Sequence, residues 1–128
     1  MELDLRSVSP QELSSLSKQV EIMTAGFNRR NIQFQAEIIG QRPTGKIPPD
    51  HPLVKLALKT LKDQGLPANL NIGSTDANIP LSLGLPSVCV GLTRGSGAHT
   101  VQEYIQTQPL EAGINQLIEL VTQCFRML

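Results

Sequence analysis

The sequence predicts an α/β chain: an α+β strand–helix–strand over the first forty residues, then helix–strand–helix–strand–helix. Three observations predict it. Apolar residues at alternating spacings of three and four mark helices, while alternation through Ile32, Phe34, Ala36 and Ile38 marks a half-buried strand. The run PSVCVGL has the continuous apolar character of a strand buried on both faces.

In order, ELDLR alternates and reads as a short strand ending at Arg6. Ser9, Pro10 and Glu12 form a capping-box signature with proline at the first helical position. Leu13, Leu16, Val20, Met23 and Phe27 then give a helix that buries one stripe. The strand over residues 32–39 follows. GQRPTGKIPPD, with two glycines and three prolines, supplies a linker over residues 41–50 and the domain boundary. Asp50 is placed to cap a second helix whose apolar face is Leu53, Val54, Ala57, Leu58 and Leu61, with Gly65 as a left-handed C-terminal cap. ANLNI reads as a short strand and GSTDAN as a tight turn into a short helix over residues 79–83. The PSVCVGL strand, a glycine loop, a turn of helix after His99 and a last helix over residues 109–125 complete the chain.

Composition narrows the function. Eleven basic and eleven acidic residues leave a formal net charge of zero, so no electrostatic footprint for nucleic acid is present. No apolar run approaches the roughly 18 residues of a membrane span, and MELDLRS lacks the features of a secretory leader. Cys89 and Cys124 lie in apolar contexts and read as buried free thiols; together these features predict a cytoplasmic protein. Aromatic residues are only 3% of the chain, which leaves little to stack on bases or sugars.

Few residues carry candidate chemistry. His99 ends a glycine-rich loop after the PSVCVGL strand, at the carboxyl end where open α/β sheets place their sites. Local pattern alone favours a surface or structural histidine over a ligand. Glu103, four residues on, is either a hydrogen-bond acceptor that orients His99 or a solvated charge. Gly73, Ser74 and Thr75 combine a sharp turn with hydroxyl and backbone donors suited to a carboxylate, although Asp76 also suits an ordinary turn. Asp4 and Arg6 share one strand face; Arg6 either pairs with Asp4 or grips a carboxylate bidentately. His51 and Arg94 read as surface residues and Cys89 as an inert core thiol.

ELDLRS before a helix, the DHPLV helix, GSTDAN and GAHTVQEYI, in this order and spacing, resemble the C-terminal part of the co-catalytic zinc peptidases. That family includes peptidase T, aminoacylase, succinyl-diaminopimelate desuccinylase and carboxypeptidase G, and the resemblance covers essentially the whole chain. It implies that residues 1–40 are the second half of a ferredoxin-like lid and dimerisation domain. Residues 51–128 would be the C-terminal part of a catalytic domain that holds two zinc ions. By the same resemblance His99 falls on the last zinc ligand, Arg6 on a lid arginine that reaches the substrate carboxylate, and Gly73, Ser74 and Thr75 on the turn lining that pocket.

The family's remaining ligands, a histidine–x–aspartate pair and neighbouring glutamates that include the general base, have no counterpart in this sequence. The expectation is a C-terminal fragment of a zinc-dependent exopeptidase or amidohydrolase. In the complete enzyme, metal-activated water would attack a peptide or N-acyl amino acid, whereas this chain alone carries no catalytic residue and is inactive. It would act with a missing N-terminal part or as a homodimer. The alternative is a non-catalytic dimerisation or interaction module derived from that family.

Overall fold

The computed structural model describes residues 1–28 and 31–126. Those residues form four helices and one small hairpin: α1 (Pro10–Gly26), α2 (Pro52–Asp63), α3 (Asn78–Ser82), β1 (Gly95–Ser96), β2 (Tyr104–Ile105) and α4 (Leu110–Arg126). The architecture is mixed and helix-rich, 41% helical, with a single two-stranded sheet among the described residues. The chain divides into two compact units, Met1–Lys46 with Asn78–Leu85, and Ile47–Ala77 with Pro86–Leu128.

In the first unit, α1 starts where the caps place it. Ser9 Oγ accepts from the Glu12 backbone N–H at 3.3 Å, and Pro10 needs no donor there. Only half of the capping box forms, because the Ser9 N–H donates to Ser7 Oγ at 3.2 Å. The expected buried stripe does not materialise: α1 has no buried residue, and Leu16, Met23 and Phe27 are exposed. An amphipathic stripe is buried only when another face meets it, and within this unit little does. The ring of Phe27 meets Phe34 edge-on with centroids 6.5 Å apart. Further along, Asn78 Nδ2 donates to the Pro43 carbonyl at 3.1 Å, and Gly45 lies against Leu81 so closely that a Cβ would sit 2.5 Å from it.

The second unit holds the core. On α2, Val54, Ala57 and Thr60 are buried; on α4, Gly113, Gln116 and Leu120 are. The α2 set recurs every three residues and the α4 set at spacings of three and four, so each helix turns one stripe to the other. The α2 face expected from sequence is correct: Leu53, Leu58 and Leu61 flank the buried residues and are themselves half-buried. A polar pair sits in the seam. Gln116 Nε2 donates to Thr60 Oγ1 at 3.1 Å, and that hydroxyl in turn donates to the Ala57 carbonyl at 3.1 Å. Gln116 Oε1 is buried and meets no donor among the described residues. At the seam's edge Lys59 pairs with Asp63 on its own helix. That hydrogen bond and the Asp63 charge hold its ammonium above the usual lysine range, with Glu119 of α4 adding to the effect.

Gly113 fixes the next segment. A Cβ there would lie 1.8 Å from the Leu92 carbonyl oxygen, so the backbone at Leu92 rests directly on α4 where the helix has no side chain. The chain leaves that contact to form the hairpin, with Gly95 opposite Ile105 and Ser96 opposite Tyr104.

Several expectations are corrected. No strand forms over 2–6, 32–39, 68–72 or 86–92, apart from an isolated bridge at Ile32. Strands exist only where a partner satisfies their backbone, and no partner strand meets these segments among the described residues. In the PSVCVGL run one side alone is covered: Val88, Val90 and Leu92 are half-buried, while Cys89 is exposed. Cys89 and Cys124 are both free thiols, but neither is buried, Cys124 being half-buried. The cap of α2 is His51, whose Nδ1 accepts from the Leu53 N–H at 3.1 Å, displacing Asp50 from that role. Gly65 is the left-handed cap expected, with φ +68° and Leu66 N–H donating back to the Leu61 carbonyl at 2.9 Å.

Little apolar surface is covered. Val54, Ala57 and Leu120 are the buried hydrophobics among the described residues, and the chain exposes 10586 Å2. A compact monomer of this mass exposes about 6,700 Å2, and two separate domains of the two units' sizes about 8,000 Å2. Among the described residues no helix is long and apolar enough to cross a membrane.

Two outcomes follow from the α2–α4 seam. Gly113→Ala should destabilise the chain by about 3 kcal/mol or more in urea unfolding, because the new methyl overlaps backbone that has no rotamer to escape into. Gln116→Met, close in volume, should be neutral or stabilising by about 1 kcal/mol, since it removes a buried unpaired carbonyl while Thr60 keeps its bond to Ala57; Thr60→Val should cost about 1–3 kcal/mol, since it strands the Gln116 amide.

Candidate functional site

His99 lies on the β1–β2 hairpin, between strands only two residues long. The hairpin is closed at its base by Gln106 N–H donating to the Arg94 carbonyl at 2.8 Å and by a short hydrogen bond from Thr93 Oγ1 to the Gln106 carbonyl. Its tip is held by local polar bonds. Thr100 donates to the Gly97 carbonyl from its N–H at 3.0 Å and from its Oγ1 at 2.7 Å. The same Oγ1 accepts from Gln102 N–H at 3.2 Å, and Glu103 N–H donates to the Thr100 carbonyl at 3.1 Å.

This network bends the backbone at His99. Its φ is +66°, and it is the one non-glycine residue in the left-handed region among the described residues. An L side chain there costs about 1–3 kcal/mol unless its surroundings impose it. Gly97, with φ +70°, takes the same sense of turn two residues earlier. Glu103 supplies the restraint: its Oε2 accepts from the His99 backbone N–H at 3.1 Å. The expected pairing of the two residues is therefore present, but through the backbone of His99 and not its ring. Both residues are exposed. The turn of helix expected after His99 is absent, replaced by the hairpin, and Tyr104 and Ile105 are its second strand.

Arg6 and Asp4 pair with each other. Arg6 Nε and Nη2 donate to Asp4 Oδ2 at 2.8 Å and 2.6 Å, and both side chains are open to solvent. The Arg6 hydrogen bond holds the Asp4 carboxyl below its usual range; slight desolvation opposes it and the guanidinium charge reinforces it. The same bond raises Arg6. Of the two roles open to Arg6 in the sequence, the ion pair is the one formed here.

Gly73 leads into a bend at Thr75 and a turn through Asp76 and Ala77 that ends at α3. Ser74, Thr75 and Asp76 each already engage in a polar interaction. Arg94 is exposed at the hairpin's base.

A catalytic zinc ion takes about three protein donors and an open position. Among the described residues no group of three or more His, Cys, Asp or Glu side chains comes together. These residues bring one histidine on a hairpin, which is not the donor set of a two-zinc site. Compared with known protein families the chain matches none, and no curated protein matches it either.

The Asp4–Arg6 pair gives a titration outcome. A depressed carboxyl contributes to stability above its unfolded pKa and loses that contribution as pH falls through the lower folded value. The Asp4 carboxyl resonance should therefore titrate at a pH below that of an ordinary aspartate. Arg6→Ala should return it to the ordinary range without moving the melting temperature, because an exposed pair of this kind adds little to folding.

Proposed function

We propose that this chain carries the histidine-bearing C-terminal part of an exopeptidase or amidohydrolase of the co-catalytic zinc family. In this reading it is catalytically inert until a partner polypeptide supplies the remaining metal donors and the general-base glutamate. The observation that supports the reading best is the backbone of His99. His99 sits at positive φ on a hairpin tip that Thr100 closes onto Gly97, with a carboxylate on its own N–H, and backbone outliers of this kind cluster at functional sites. That arrangement fixes the backbone of the residue and leaves its ring exposed, as a ligand position to be completed from outside requires.

The other residues have roles in recognition. Arg6 offers a fork that matches a carboxylate bidentately and holds Asp4 in the absence of substrate. Exchanging one exposed carboxylate for another costs little. Ser74 and Thr75, on the turn after Gly73, carry hydroxyls suited to a carboxylate of a peptide or N-acyl amino acid. Glu103 restrains the His99 backbone and is a positioning residue.

A second reading, a non-catalytic interaction module, is favoured by the exposed surface of 10586 Å2. Both readings call for a partner; they differ in whether His99 takes part in chemistry. With zinc present, the chain alone should hydrolyse neither dipeptides nor N-acyl amino acids. Mixed with a polypeptide that carries a family member's histidine–x–aspartate pair and paired glutamates, it should form a hydrolase that His99→Ala abolishes. Turnover by the isolated chain, or a complemented hydrolase indifferent to His99→Ala, would contradict the proposal; assembly without activity would favour the second reading.

A further inference from the structure

Helix α4 carries two stripes. Gly113, Gln116 and Leu120 face α2 and are buried. Ile114, Ile118, Val121 and Phe125 form the other, exposed at 46%, 59%, 46% and 73%. Their spacing of four, three and four is that of a seam between paired helices. The residues flanking the middle of this line, Asn115 and Thr122, are exposed and uncharged, so no like charges oppose a second copy there.

Charge at the ends selects the orientation. Glu111 lies three residues before Ile114 and continues the stripe, and Arg126 follows Phe125 directly; both are exposed. A parallel pair would set Glu111 against Glu111 of the second copy. An antiparallel pair, with its two-fold axis between Ile118 and Val121, sets Ile114 against Phe125 and brings Glu111 within reach of the other copy's Arg126. It also places opposite helix ends together, which the helix dipoles favour. The four apolar residues expose about 400 Å2 per copy, so pairing buries at most about 800 Å2 in all, below the roughly 1,200 Å2 of a stable interface and in the range of transient ones.

We propose that α4 is a homodimerisation helix that pairs antiparallel with α4 of a second copy through Ile114, Ile118, Val121 and Phe125. The area buried makes this a dimer that dissociates on dilution. The pairing goes beyond the hydrolase reading and needs neither zinc nor substrate, so its test stands or falls separately.

Sedimentation of the full chain from micromolar to millimolar concentration, without metal, should show a monomer–dimer equilibrium. Ile118→Glu should abolish the dimer and leave the far-ultraviolet circular dichroism unchanged, because Ile118 is exposed. Ile38→Glu, at an exposed apolar residue far along the sequence, should leave the dimer intact. Glu111→Arg should weaken association, and adding Arg126→Glu to it should restore it. A monomer throughout the range, a dimer indifferent to Ile118→Glu, a dimer lost only with Ile38→Glu, or a charge reversal that fails to rescue would each overturn the proposal.

Discussion

Backbone meeting backbone at Gly113 is the constraint on which the second unit depends. The carbonyl of Leu92 rests where α4 has no side chain, and α4 is held in place by its seam with α2. Helix α4 thus does two tasks. Its buried side closes a core of Val54, Ala57 and Leu120 around the Thr60–Gln116 hydrogen bond, and Gly113 anchors the root of the hairpin that carries His99. Each buried aliphatic side chain contributes about 1.5–3 kcal/mol at most, so a core this small leaves a narrow margin. The position of His99 therefore rests on α2–α4 packing more than on the hairpin's own two-residue strands.

The same economy explains the surface. Outside the α2–α4 seam, large apolar side chains such as Leu3, Phe34, Ile38, Ile72 and Phe125 remain exposed. Scattered singly, such residues need no explanation, but here they recur along whole segments and along one face of α4. These faces leave apolar surface uncovered among the described residues. The functional proposal would cover such surface with a polypeptide bearing the missing donors, and the pairing proposed for α4 would cover part of it with a second copy. The two use different residues: His99, Arg6 and the Gly73–Thr75 turn on one hand, and Ile114 to Phe125 on the other.

What was legible in the sequence was local. Ser9, Pro10 and Gly65 mark helix ends through bonds made within a few residues, and the α2 face follows from spacing on one helix. The Asp4–Arg6 pair was readable for the same reason, since the two residues lie two apart. Strands were not. ELDLR and residues 32–39 have the right alternation, but alternation becomes a strand only where a second edge lies alongside, and that is a non-local fact. The spacing of His99 and Glu103 suggests a helical turn, whereas the chain forms a hairpin there, for which Gly95 and Gly97 on one side and Tyr104–Ile105 on the other are a signal. That spacing did bring the two residues together, but with the carboxylate on the backbone N–H. The Asp50 cap failed because Nδ1 of His51 reaches the Leu53 N–H first, a use of histidine that propensity does not anticipate.

Order in this chain is concentrated in the α2–α4 seam and the hairpin root it supports, while the alternating segments form no strand among the described residues. Backbone amide hydrogen exchange of the isolated chain at low concentration tests this most directly. Protection should be highest across residues 56–61 and 114–121, intermediate at Gln106, and close to that of an unstructured chain over residues 35–46 and 67–73. Protection over 35–46 equal to that of α2 would contradict the account, since those amides would then be in a sheet that needs no partner.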